Sequence, residues 1–169
     1  MVLIKSISGV RGTIDKNDIS GLSSSNIKES VEQYIFWIKN EYNFEKNSIV
    51  LGRDGRNSGN KILSTISNIL ISLNINVINL NLTTTPSLQM AVISEKCSGG
   101  IMISASHNPI NWNGLKFLNK EGEFLTSNQS KSLYSFEKKS KYLNQNSKNS
   151  TIINLDYSEI HIKSILSLP

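Results

Sequence analysis

The stretch Ile49-Val50-Leu51-Gly52-Arg53-Asp54-Gly55-Arg56 joins a short apolar strand directly to a polar loop that contains two glycines. Apolar residues on both sides of it recur at the three- and four-residue spacing of an amphipathic helix. The stripe before it comprises Ile27, Val31, Tyr34, Ile35, Ile38 and Tyr42, and the stripe after it comprises Ile62, Ile66, Ile69, Leu70 and Leu73. A strand between two amphipathic helices is typical of an α/β fold with a parallel sheet.

The alternation of strands and helices continues along the chain. Val77–Leu82 predicts a strand, and Ser87–Ser94 predicts a short helix with Pro86 near its first turn. Leu115–Leu118 predicts a further strand, and we expect Ile7 near the start of the first strand of the chain. We therefore predict a three-layer α/β/α domain with a mostly parallel mixed sheet. Its central strands are expected to be Gly100–Ile103, Ile49–Leu51 and Val77–Leu82.

The C-terminal part of the chain differs in composition from the part before it. Residues 138–150 are mostly Lys, Ser, Asn and Gln, as in an interdomain linker. Beyond them, Tyr157–Leu168 has helical spacing, and an isolated helix has nothing of its own to pack on. We therefore expect a first domain at residues 1–139, a linker at 140–152 and the first helix of an incomplete second domain at 153–169.

Composition and charge limit the classes of function. The chain has 169 residues, of which 38% are hydrophobic and 18% charged, and its net charge is +5. A basic balance suits nucleic acid, an anionic membrane or a phosphorylated small molecule. The lysines are dispersed, however, and neither a signal peptide nor a membrane-spanning run is present. We expect a cytoplasmic protein that binds no nucleic acid and no membrane, with its one cysteine, Cys97, as a small buried side chain.

One loop carries most of the polar chemistry. Ser104-Ala105-Ser106-His107-Asn108-Pro109 places two hydroxyls, an imidazole and an amide between two predicted strands. A serine in such a turn can expose its hydroxyl among hydrogen-bond donors, as a nucleophile requires. A purely structural turn of Ser and Asn, closed by proline, is the alternative that the residues themselves leave open.

Other segments could contribute to the same site. Lys116 alternates with two apolar neighbours and so points to the opposite face of its strand, either to solvent or toward Ser106. Arg11 lies between Gly9 and Gly12, where backbone can approach a phosphate, or it marks a basic tight turn. The Arg53–Arg56 segment suits either an ion-paired turn or an anion site. Thr83-Thr84-Thr85-Pro86 is typical of a helix cap.

Taken in order, these five loops resemble those of the α-D-phosphohexomutase superfamily, which includes phosphoglucomutase, phosphomannomutase and phosphoglucosamine mutase. Ser106 matches the family's phosphoserine, and Asn113-Gly114-Leu115-Lys116 matches the segment with its catalytic lysine. Arg11 matches the arginine of its N-terminal loop. Gly52–Arg56 and Thr84–Ser87 match two further loops in order and spacing.

The resemblance implies an N-terminal phosphoserine domain of an enzyme that moves a phosphoryl group between C1 and C6 of a hexose or hexosamine phosphate. The reaction would pass through a hexose bisphosphate, which also serves as primer, and phosphoglucosamine is expected before phosphomannose or phosphoglucose. Mg²⁺ would bind through the phosphoryl group of Ser106. The implied catalytic residues are Ser106, Lys116 and Arg11, and the implied phosphate-binding residues are His107, Asn108, Arg53 and Arg56. Lys116 is the better proton carrier, since arginine rarely loses its proton.

The resemblance also implies that the chain is incomplete. In the family, an Asp-rich magnesium loop, a sugar-recognition loop and a phosphate-clamping loop come from three later domains. The sequence contains no Asp-x-Asp-x-Asp pattern, so we expect that the chain alone cannot complete the mutase cycle. Its expected partners are a sugar phosphate and the remaining mutase domains. Two alternatives stay open: a catalytically incompetent remnant or isolated domain, and a basic module that binds phosphorylated ligands. If the main interpretation holds, Ser106, Arg11 and Lys116 should converge on one edge of the sheet.

Overall fold

The computed structural model of the chain describes residues 3–14, 20–42, 47–135 and 150–169. The strands of this described part are β1 (Ile4–Ser6), β2 (Gly9–Thr13), β3 (Ser48–Arg53), β4 (Asn76–Leu82), β5 (Gly99–Ile103), β6 (Trp112–Leu118) and β7 (Ile152–Asn154). Its helices are α1 (Ser24–Glu41), α2 (Gly59–Ser72), α3 (Thr85–Ser94), α4 (Ser127–Ser135) and α5 (Ser158–Leu166).

All of these strands belong to one mixed sheet in the order β1-β2-β6-β5-β3-β4-β7. Pairing is parallel along β5, β3, β4 and β7, and antiparallel along β5, β6, β2 and β1. As a result β2, β3, β4, β5 and β7 run in one direction, and the predicted mostly parallel mixed sheet is confirmed. The carboxyl ends of β2, β3, β4 and β5 lie at the same edge as the start of β6, where ligands of such sheets bind.

Helices cover both faces of the sheet, which confirms the three-layer architecture. Ile49 and Leu51 face the core formed with α1 and α2, whereas Val50 between them faces the core formed with α3. All three side chains are fully buried. A strand buried on both faces needs an unbroken apolar run, because successive side chains point to opposite faces. Cys97 is buried in the α3 core, as expected.

The N-terminal and β6 segments differ in detail from the prediction. Ile7 does not begin a strand: it lies in the turn between β1 and β2 and is 54% exposed. Gly9, with φ of +102°, closes that turn in a conformation that favours glycine. Strand β6 begins three residues before the predicted Leu115, because Asn113 and Gly114 pair with β2. Pairing with a neighbouring strand here overrides the low strand propensity of Asn and Gly.

The C-terminal segment contains a strand that the sequence did not predict. β7 pairs in parallel with β4 and so adds an edge strand to the sheet. Its first residue, Ile152, was predicted to be the last residue of the linker. Most of that linker lies outside the described residues, and the division into domains remains a prediction. Helix α5 follows, and it contacts α3 through Ser87 Oγ and His161 Nδ1 at 2.8 Å and through Tyr157 and Glu95. Among the described helices, none has both the length and the apolar content of a membrane span.

A buried tyrosine ties helix α1 to the centre of the sheet. The Tyr34 hydroxyl lies 2.6 Å from Leu118 O and 3.1 Å from Gly100 O, and burial raises its pKa well above the ordinary value. A side chain at Gly99 would collide with this hydroxyl and with Leu118 O. The glycine therefore makes the room that the tyrosine occupies.

We expect Tyr34→Phe to lower the free energy of unfolding by about 1 to 2 kcal/mol, because it removes the buried hydrogen bonding of the hydroxyl to the centre of the sheet. Tyr134→Phe is the matched control, since its hydroxyl donates to Ser6 O at the surface; we expect a loss within about 0.5 kcal/mol. Urea-induced unfolding measures both values. Equal losses in the two variants would contradict a special role for the buried hydroxyl.

Candidate active site

The loop between β5 and β6 presents Ser106 at the carboxyl edge of the sheet. We refer to residues 104–112 as the Ser106 loop. Asn108 N donates to Ala105 O (3.1 Å), which closes a turn around Ser106, and Ser106 N donates to the buried Ser104 Oγ (3.0 Å). Ser104 N in turn donates to Gly114 O (2.9 Å), so the loop continues the pairing between β5 and β6.

Ser106 is exposed and adopts a left-handed backbone conformation with φ of +56°. Side chains with a Cβ pay roughly 1 to 2 kcal/mol for that conformation. Such strain persists only where surrounding contacts hold it, and it is concentrated at functional sites. The hydroxyl Oγ lies 3.5 Å from Nδ1 of the exposed His107.

Arg56 holds the Ser106 loop from the neighbouring loop after β3. Its Nη1 donates to Pro109 O (2.7 Å) and Trp112 O (3.0 Å), and its Nη2 donates to Ser106 O (2.9 Å) and Asn108 O (2.7 Å). Of the two alternatives left open for this segment, the structure shows the ion-paired turn, and Arg56 in addition donates to carbonyls of the Ser106 loop.

Asp54 provides that ion pair and anchors the turn. Its Oδ2 lies 3.4 Å from Arg56 Nε, and its Oδ1 accepts a hydrogen bond from Arg56 N at 3.1 Å. Asp54 N donates to Ile103 O (3.0 Å), which fastens the turn to the end of β5. The carboxylate is thus directed to Arg56.

Asn113 supports the site and was missed as a separate residue at the sequence level. It is fully buried; its Nδ2 donates to Ser58 Oγ (2.9 Å) at the start of α2, and its Oδ1 accepts from Gly114 N (2.8 Å). The available signal was its position, since an amide inside an otherwise buried strand needs hydrogen-bond partners.

Arg11 and Lys116 lie on the same face of the sheet, and Arg11 is in contact with the Ser106 loop. Arg11 pairs with Gly114 in the antiparallel register, and Lys116 follows two residues later on the same strand. Arg11 Nη1 donates to Asn108 Oδ1 at 3.3 Å, which joins β2 to the loop. Gly114 leaves room for the Arg11 side chain, because a Cβ there would collide with Arg11 Cγ. The structure thus joins Arg11 to the Ser106 loop and places Lys116 further along β6 on the same face; their convergence with Ser106 on one site remains a prediction.

Burial and neighbouring charges shift the pKa of Lys116. Partial burial lowers the pKa of Lys116, the nearby Arg11 cation lowers it further, and Asp54 acts in the opposite direction. The Lys116 ammonium also lies 5.6 Å from the centre of the Phe124 ring. Among the described residues, Arg11 Nε is buried without a hydrogen-bond partner. An unpaired buried donor beside a lysine with a lowered pKa suits the binding of an anion.

Arg53 points away from this group. Its Nε donates to Asn81 Oδ1 and its Nη1 donates to Asp54 O, both at 3.1 Å. The structure therefore places His107 and Asn108 in the turn around Ser106 and joins Arg11 to Asn108, whereas Arg53 lies toward β4. Thr84 caps α3 by accepting from Ser87 N (3.3 Å), as the helix-cap interpretation predicted.

The described part of the chain does not by itself fit a magnesium site. It contains no cluster of three or more His, Cys, Asp or Glu side chains that could hold a metal ion. Asp54, in the neighbouring loop, is already engaged with Arg56. Mg²⁺ prefers several oxygen ligands in near-octahedral geometry, which Ser106 Oγ alone does not supply.

Comparison with known proteins identifies the class. The family model for phosphoglucomutase/phosphomannomutase, alpha/beta/alpha domain I, matches residues 4–143. The chain therefore belongs to the phosphoglucomutase/phosphomannomutase family, of which it contains domain I. Two structures share the fold: a phosphoglucomutase/phosphomannomutase family protein from Burkholderia thailandensis (TM-score 0.72, 20% identity, covering 98% of this chain and 36% of that one) and pp63/parafusin from Paramecium (TM-score 0.67, 18% identity, covering 98% and 34%).

Curated relatives include phosphoglucosamine mutases. That of Prochlorococcus marinus (strain MIT 9312) is 33% identical over 134 residues, covering 73% of this chain and 28% of the relative. That of Helicobacter pylori (strain G27) is 37% identical over 89 residues, covering 53% of this chain and 20% of the relative. The matched part of the chain thus spans between a fifth and a third of the length of these relatives.

The left-handed conformation of Ser106 predicts an inverted preference for glycine over alanine. We expect Ser106→Gly to be more stable than Ser106→Ala by about 1 kcal/mol, because alanine retains the Cβ that strains the turn. Ser64, exposed in α2, is the matched control, and there alanine should be more stable than glycine by a similar amount. Unfolding in urea measures all four variants; the same order at both positions would contradict the strain.

Proposed function

We propose that this chain is the phosphoserine domain of a phosphohexomutase and that Ser106 carries the transferred phosphoryl group. The observation that carries the proposal is the surroundings of Ser106: it is exposed on a fixed turn, and Asn108 of that turn accepts a hydrogen bond from Arg11, whose Nε is buried without a partner. A phosphoryl group brings a charge of about −1.5 to −2 and strong acceptor oxygens. Arg11 and Lys116 supply the cations that such a group requires.

In the proposed reaction, a hydroxyl oxygen of a sugar monophosphate attacks the phosphorus atom on Ser106. The bond between phosphorus and Oγ breaks as the bond to the sugar oxygen forms, and one proton moves from the sugar hydroxyl to Oγ. The product is a sugar bisphosphate, which returns its other phosphoryl group to Oγ by the reverse exchange. Catalysis of this kind depends on positioning and on charge stabilisation around the phosphoryl oxygens.

Lys116 is proposed as the proton carrier. Burial and the Arg11 cation lower its pKa, so its neutral amine becomes available at a lower pH than that of an ordinary lysine. Arg11 keeps its charge and is proposed to stabilise the phosphoryl oxygens, with Asn108, to which it is hydrogen-bonded, beside it. His107 is proposed to contact the phosphoryl group from the exposed side of the turn.

The proposed substrate is a hexose or hexosamine phosphate, with phosphoglucosamine before phosphomannose and phosphoglucose. The support is the name of the relatives, which are phosphoglucosamine mutases. Because the described residues do not fit a metal site, ligands for Mg²⁺ and for the sugar are proposed to come from further mutase domains. We therefore propose that this chain accepts a phosphoryl group but does not turn over sugar phosphates without those domains.

Incubation with glucose 1,6-bisphosphate and Mg²⁺ tests the proposed phosphoryl acceptor. We expect the intact chain to gain the mass of one phosphoryl group, and fragment masses to place it on Ser106. Ser106→Ala should abolish the gain, and Ser64→Ala, which removes an exposed hydroxyl far from the loop in sequence, should retain it. If Ser106→Ala gains as much phosphoryl mass as the chain without substitutions, Ser106 is not the phosphoryl acceptor.

The pH dependence of this loading tests Lys116. If its neutral amine accepts the Ser106 proton, the initial rate should rise with pH until the lowered pKa of Lys116 is passed, and then level off. Lys116→Arg should be slower by about 10²-fold or more and lose that rise, because the guanidinium stays protonated. Lys61→Arg, at an exposed position in α2, is the control. An unchanged pH profile in Lys116→Arg would exclude Lys116 as the proton carrier.

A further inference from the structure

We infer that Arg56 is a positioning residue of the candidate site, which acts through the Ser106 loop and does not bind the transferred phosphoryl group. This inference rests on the proposed function of Ser106. The guanidinium donates four hydrogen bonds to loop carbonyls, and its remaining nitrogen, Nε, forms the ion pair with Asp54. Its side chain is only 11% exposed. All three nitrogens are therefore engaged within the protein.

The four bonds place a cation against the negative ends of four peptide dipoles. Carbonyl oxygens directed toward the phosphoryl group would repel it, since that group carries a charge of about −1.5 to −2. Arg56 gathers the carbonyls of residues 106, 108, 109 and 112 around one positive charge. These four carbonyl oxygens of the loop thus face Arg56. The side of the loop that faces away from Arg56 is left to cations and N–H donors.

One of these bonds acts on Ser106 directly. Nη2 of Arg56 holds the carbonyl oxygen of Ser106, and Ser104 Oγ holds its amide. Both peptide groups that flank the strained Ser106 backbone are therefore fixed. A residue other than glycine needs such restraint to keep a φ of +56°. Arg56 thereby sets the direction in which the Ser106 side chain leaves the turn.

Arginine suits this role better than lysine. Its planar fork offers five N–H donors in fixed directions, whereas the lysine ammonium offers three around a single atom. Asp54 fixes the fork at its base, and Asp54 N is itself bonded to Ile103 O at the end of β5. The loop after β3 and the loop after β5 are thus locked together through one guanidinium.

Amide hydrogen exchange of the full unphosphorylated chain, followed by NMR, tests the inference. In Arg56→Gln we expect the hydrogen-bonded loop amides of Asn108 and Trp112 to exchange roughly tenfold faster or more, as loss of several bonds implies. Amides of β3 and β4 should keep their rates. Arg56→Lys should lie between the two, and Lys61→Gln, which removes the same charge from an exposed site, should leave the loop unchanged.

Two exchange results would overturn the inference: unchanged rates in the loop, or an equal rise in the loop and in β3 and β4, which indicates a general loss of stability. The loading reaction adds a second readout. A positioning role predicts a lower maximal rate of Ser106 phosphorylation at an unchanged half-saturating concentration of glucose 1,6-bisphosphate. A raised half-saturating concentration at an unchanged maximal rate would instead make Arg56 a phosphate ligand and overturn the inference.

Failure of the proposed function is distinguishable from failure of this inference. If the chain without substitutions does not accept a phosphoryl group, the proposed role of Ser106 fails. The exchange rates alone then decide whether Arg56 holds the loop. If the chain without substitutions is phosphorylated, and Arg56→Gln is phosphorylated equally fast despite a loosened loop, the positioning role is overturned while the proposed function stands.

Discussion

The parallel pairing of β3 with β5 is the contact on which the site depends. These two strands are distant in sequence, yet they end side by side, and Asp54 N continues their hydrogen bonding by donating to Ile103 O. The loop after β3 can therefore reach the loop after β5. If the two strands were separated by another strand, Arg56 could not reach the carbonyls around Ser106. The topology of the sheet thus brings together groups that no local motif could assemble.

The fold was predictable from sequence where burial leaves a strong pattern. β3 and β5 are apolar on both faces, and α1 and α2 carry stripes that match their buried sides, so these elements could be recognised. β7 could not, because its residues are exposed and it is stabilised by pairing with β4, a partner distant in sequence. The short α4, with only Ser130 and Leu133 buried, offers an equally weak pattern.

The candidate site was partly predictable, for a different reason. Ser106, Lys116 and Arg11 belong to loops whose residue types and order resemble a known family, so their grouping could be expected. Polar chemistry alone could not distinguish an arginine that binds a ligand from one that binds backbone. Arg56 illustrates this, because its four carbonyl partners are set by the path of the Ser106 loop and carry no side-chain signature.

The fit of Tyr34 into the space above Gly99 links two positions that are distant in sequence. A side chain at position 99 would meet two obstacles, the hydroxyl of Tyr34 and the backbone oxygen of Leu118, and only the first can be removed by a substitution elsewhere. Over evolutionary time we therefore expect glycine to persist at position 99 even in homologues that have lost the tyrosine, whereas position 34 is free to become smaller.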